Sequence, residues 1–131
     1  MNDAAEVLRL NQRLLDCIAA GDWATYQELS DPSLTAIEPE APGQIVEGLP
    51  FHRFYFDLGG IRGPHHTTMA SPRVLLMGEV AVVTCVRLIQ RLGANGSPST
   101  LASAESRVWL RRDGRWRQVH FHRSAVPGEQ A

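Results

Sequence analysis

Lysine is absent from this chain: its thirteen strongly basic side chains are all arginine, and fourteen acidic ones bring the formal net charge to −1. A nucleic-acid duplex or an anionic membrane needs a broad basic surface, so neither is an expected partner. Cysteine is scarce as well. Cys17 and Cys85 lie far apart in apolar surroundings, at no metal-ligand spacing, which fits two buried thiols in a reducing compartment rather than a disulfide framework. No apolar run reaches the length of about 18 residues that a membrane helix requires. The opening Met1 to Glu6 has no positive region followed by an apolar one, so no secretory signal is read there and a cytoplasmic location is expected. Phosphate-cradling glycine loops, nucleophile elbows and kinase motifs are all missing. The chain is therefore not itself a kinase, and no cofactor is expected.

What remains is 131 residues with 44% apolar side chains, enough for one domain over 1–131 with a single core. Asp3 is a candidate N-cap for a helix whose apolar positions Val7, Leu10, Leu14, Cys17 and Ile18 recur at helical spacing until Gly21. Asp22 can cap a second helix from Trp23 to about Leu29, stopped by Ser30-Asp31-Pro32. Leu34 to Ile37 and Gln44 to Gly48 read as short strands on either side of a Pro- and Gly-containing stretch. Pro50 starts a third helix with Phe51, Phe54, Tyr55 and Leu58 at i, i+3, i+4 and i+7, closed by Gly59-Gly60. Thr67 to Met77, Val80 to Arg91, Ser99 to Arg111 and a terminal segment then read as four long antiparallel strands. The fold class is α+β: three helices cover one face of a mainly antiparallel sheet. A long curved sheet wrapped over helices makes a cone with a cavity at its open end, and its outer face is left to water or to another subunit.

The terminal hairpin turns at Asp113-Gly114, and Arg107 and Arg123 stand inside its alternating segments. A guanidinium there needs a paired anion or a ligand. Two registers are open. A two-residue loop pairs Arg112 with Arg115, sets Arg107 opposite His120 and sends Arg123 to the other face. A three-residue loop with Gly114 as a bulge pairs Arg111 with Arg115 and gathers Arg107, Trp109, Val119, Phe121 and Arg123 on one face. A third strand-borne arginine is Arg87. Each of the three either pairs internally with a carboxylate such as Glu38, Glu40 or Glu105, or grips a carboxylate or phosphate ligand with its planar fork.

Among the five histidines, His120 and His122 share a strand face, yet no Cys or carboxylate stands at a ligand-like distance along the chain, and no metal is expected. His52 opens the third helix as a polar residue at a boundary. Tyr26, Glu38 and His52 could act as acid and base in the cavity, although no fixed spacing announces a catalytic set.

Longer strings are more specific. Gly21-Asp22-Trp23, Thr35-Ala36-Ile37-Glu38-Pro39-Glu40-Ala41, Phe51-His52-Arg53-Phe54-Tyr55-Phe56, His66-Thr67-Thr68, Arg107-Val108-Trp109 and Val119-His120-Phe121-His122-Arg123-Ser124 resemble the association (hub) domain of calcium/calmodulin-dependent protein kinase II, from about Leu8 to Ser124. The resemblance implies a cone of the nuclear transport factor 2-like type, self-association as a homodimer or a larger ring, and an arginine-lined cavity for a small carboxylate. It puts Tyr26, His52, Arg87, Arg107 and Arg123 at the family's pocket positions, and it favours the bulged register. As a departure from the family, a stand-alone domain without kinase or calmodulin-binding segments is expected. The loop Asp57 to Pro64 departs from the family in lacking its tryptophan. The alternative function is a small cone-fold isomerase, dehydratase or cyclase that uses His52 and Tyr26.

Overall fold

The computed structural model describes residues 2–127. In chain order it holds α1 (Asp3–Ala20), α2 (Trp23–Glu28), β1 (Ser30–Ile37), β2 (Val46–Glu47), α3 (Pro50–Asp57), β3 (His65–Met77), β4 (Val80–Leu92), β5 (Pro98–Arg112) and β6 (Arg115–Ala125). The six strands form one sheet in the order β2-β1-β6-β5-β4-β3. All neighbours are antiparallel except β1 and β6, which run parallel.

Capping explains the helix ends. Asn2, not Asp3, caps α1, with its Oδ1 accepting from the Ala5 amide at 2.8 Å; Asp3 is the first helical residue. Asp22 caps α2 as expected, accepting from the Thr25 amide at 3.1 Å. Gly21 ends α1 in the left-handed region at φ 72°. Space there is as restrictive as conformation: a Cβ on Gly60 would stand 2.3 Å from the Ala20 carbonyl carbon, so the loop after α3 lies directly on the end of α1.

The second helix is shorter than expected and β1 begins at Ser30 rather than Leu34, because Gln118 of β6 donates its amide to the Leu29 carbonyl and extends the parallel pairing. Pro32 is accommodated where the β1–β6 register shifts. In α3 the periodicity is right and the orientation is reversed. Phe54, Tyr55 and Leu58 are 60%, 40% and 67% exposed, and His52 is the residue the helix buries.

The hairpin register is neither of the two expected. Asp113 and Gly114 both have positive φ, at 53° and 74°, which makes the tight two-residue turn and pairs Arg112 with Arg115. Farther along, Val108 faces His120 while Trp109 faces Gln118, so the extra residue is Val119 and the bulge sits within β6, not at Gly114. Beyond it Arg107 faces Phe121 and Glu105 faces Arg123. One inserted residue returns Arg123 to the inner face alongside Arg107. Val119, expected on that face, is replaced there by the fully buried Gln118.

The core lies between α1, α2 and the inner sheet face. Val7, Leu14, Leu15, Leu34, Ala81, Val83 and Trp109 are buried there, and Trp109 Nε1 donates to Asn11 Oδ1 at 3.0 Å. Cys17 and Cys85 are buried free thiols. Burial pushes Cys17 up to about 12 and Cys85 up to about 11. No helix among the described residues is long and apolar enough to cross a membrane.

Candidate functional site

Along β5 the inward positions run Trp109, Arg107, Glu105, so the apolar core gives way within one residue pair to an ionic cluster. Glu105 is the centre of it. Its Oε1 accepts from Arg107 Nη1 at 3.0 Å, and its Oε2 lies 2.8 Å from Arg87 Nε. The second contact is close in distance but poor in angle, and both of its atoms lack a hydrogen-bond partner. Arg107 Nε donates to Gln118 Oε1 at 2.8 Å, Gln118 Nε2 donates to Ser30 Oγ at 2.7 Å, and the Arg107 guanidinium lies 4.8 Å from the Phe121 ring centre. Burial would raise the Glu105 pKa, but Arg107 and Arg87 outweigh it and hold the carboxyl below the ordinary glutamate value. Arg87 is pulled down by burial, partly offset by Glu105.

Helix α3 and the β1 end supply the opposite wall. His52 Nε2 meets Glu38 Oε2 at 2.5 Å, both side chains buried, and His52 Nδ1 has no partner. Tyr26 packs 5.8 Å from the His52 ring, and burial raises its phenol above the ordinary value against the pull of Arg107. Arg123 Nη2 donates to Glu40 Oε2 and lies 3.9 Å from Glu38 Oε1.

The three arginines, Tyr26, Glu38, Glu40 and His52 line a cavity of about 140 Å³, and Glu105 and Gln118 stand outside its lining. All five residues singled out from the sequence, Tyr26, His52, Arg87, Arg107 and Arg123, are brought to it. Internal pairing is equally evident, since Arg87 and Arg107 share the single charge of Glu105 while Glu40 meets Arg123. Sequence reasoning missed Gln118 and Phe56. Gln118 faces inward only because of the Val119 bulge, and Phe56, beside Tyr26 with ring centres 4.7 Å apart, faces inward because α3 is turned over.

On the sheet's other face, His120 Nδ1 lies 2.7 Å from Thr35 Oγ1. Burial, then the neighbouring His122, lowers its pKa. His120 and His122 form part of no potential metal cluster among the described residues.

The family model for the calcium/calmodulin dependent protein kinase II association domain matches residues 3–127. The rabbit (Oryctolagus cuniculus) calcium/calmodulin-dependent protein kinase type II subunit delta is 46% identical over 125 residues, covering 93% of this chain and 24% of its own length. This chain thus spans about a quarter of that relative. Among solved structures, the hub homology domain from Chlamydomonas reinhardtii superposes with a TM-score of 0.88 at 46% identity, covering 97% of this chain and 100% of its own. The association domain from C. elegans does so with 0.87 at 48%, covering 92% and 93%. A nuclear transport factor 2-like protein from Salmonella enterica, 23% identical with a TM-score of 0.75 over 97% of this chain and 92% of its own, shares the fold alone. Helices on a curved, mixed six-stranded sheet, a match from end to end and identities near one half agree: this chain belongs to the association (hub) domain family of calcium/calmodulin-dependent protein kinase II.

Proposed function

We propose that the domain is an assembly module that associates with copies of itself and holds a small carboxylate in its inner cavity. The observation that carries the binding half is Arg87. It is 7% exposed and lines the cavity, its Nε stands 2.8 Å from Glu105 Oε2 without hydrogen-bond geometry, and no other hydrogen bond of its side chain is found among the described residues. A buried guanidinium with unused donors is matched by a bidentate acid. Arg123 and Arg107 add charge on the same side, and Tyr26 and His52 supply polar contacts opposite. The two buried thiols fit a reducing, cytoplasmic setting.

Self-association is supported by the outer sheet face. Leu75, Val82 and Val108 form one cross-strand row, and Met77, Val80 and Leu110 a second. Leu75 and Met77 are 59% and 53% exposed, an apolar surface suited to a second sheet. Light scattering on wild type should give a mass above one chain, and Leu75→Asp with Met77→Asp should lower it toward a monomer of unchanged circular dichroism. A monomeric wild type would refute the assembly half; a thermal scan that no small carboxylate moves would refute the binding half.

One contact favours a second reading, proton transfer. With Nε2–H donating to Glu38, His52 Nδ1 keeps a buried lone pair beside the acid site. Exchange of a bound acid's C–H for deuterium in D₂O, lost in His52→Gln, would establish that reading; no exchange above the buffer rate would dismiss it.

A further inference from the structure

The inner cavity opens into a larger chamber of about 650 Å³, and the two share Arg87, Arg123, Glu40, Tyr55 and Ile18. Its far side differs from the inner one. Arg62, from the loop after α3, and Arg91, near the end of β4, line it, and neither has a carboxylate within 4.0 Å among the described residues. Arg87, Arg107 and Arg123 each have a carboxylate within 4.0 Å, whereas Arg62 and Arg91 at the mouth have none among the described residues. Between the two sits an apolar wall of Ile18, Ile61 and Ile89.

Strand geometry fixes the spacing. Arg87, Ile89 and Arg91 alternate onto one face of β4, and four residues of strand separate the two arginines by about 13 Å at their Cα atoms. Their flexible side chains can close part of that distance toward each other. A chain with an anionic group at each end and methylenes between would meet Arg87 and Arg123 at the inner end, isoleucines along its length, and Arg62 and Arg91 at the mouth.

We propose that the site selects an elongated dicarboxylate over a monocarboxylate of equal length, with Arg62 and Arg91 as the second anion subsite. This rests on the carboxylate reading above and names the ligand class for it. Both arginines are exposed, so replacing them leaves the core untouched.

Calorimetric titration at low ionic strength with adipate against hexanoate, and suberate against octanoate, tests the inference on wild type and on an Arg62→Ala, Arg91→Ala double variant. Wild type should bind the better-fitting diacid about tenfold more tightly than its monoacid. The double variant should lose that preference and keep its monoacid affinity. Equal affinity for diacid and monoacid in wild type, or a preference that survives in the double variant, overturns the second subsite and leaves the carboxylate reading standing. Absence of binding by all four acids overturns both.

Discussion

Trp109 and Arg107 stand two residues apart on the same face of β5, both essentially inaccessible to water, and are held in opposite ways. The indole is enclosed by apolar side chains and needs one hydrogen bond, to Asn11. The guanidinium depends on Glu105, Gln118 and the Phe121 ring. Burial favours the first directly. It favours the second only while every partner remains, because an unpaired buried charge costs more than its pair returns. The boundary between hydrophobic core and candidate binding cavity is thus one step along a strand.

The largest effects should come from cutting either side of that boundary, and pH separates the two. Trp109→Ala should cost about 3–5 kcal/mol of stability by chemical denaturation, through lost burial and the cavity left behind. Glu105→Gln should cost about 3–5 kcal/mol by leaving Arg87 and Arg107 without their shared counter-ion. Because the folded pKa of Glu105 is depressed, its contribution is present above the ordinary glutamate value of 4.5 and is lost as pH falls through the lower folded value. The gap between wild type and Glu105→Gln should therefore shrink in acid, while the gap for Trp109→Ala should not follow that titration. A Glu105→Gln penalty that persists unchanged into acid would break the comparison.

Legibility in the sequence followed the same boundary. Where burial and periodicity coincide, as in α1, pattern alone located the element and its inner face, and in β4 it located the element. In α3 the period identified a helix but not its orientation, since spacing alone does not say which side meets the core; here Phe54, Tyr55 and Leu58 are outside and His52 is inside. The hairpin failed for a different reason. An Asp-Gly turn fixes the register only as far as the next bulge, and nothing local marks Val119 as the inserted residue. All five pocket residues stood out in the chain itself, the arginines by their places inside strands and Tyr26 and His52 as a possible acid and base, and the family resemblance gathered them into one pocket. Internal neutralisation by Glu105 was weighed from chemistry alone, as the expected alternative for any strand-borne arginine.

The smallest effect on stability should come from Arg123→Ala, whose side chain reaches Glu40 near the mouth rather than the Glu105 cluster. Its effect on binding should be the most decisive. Titrating hexanoate into wild type and Arg123→Ala, at matched ionic strength and with unfolding temperatures recorded for both, should give saturable heat for wild type and none for the variant, with the two unfolding at nearly the same temperature. A variant that folds normally and binds the acid as well as wild type would contradict an arginine-gripped carboxylate in this cavity.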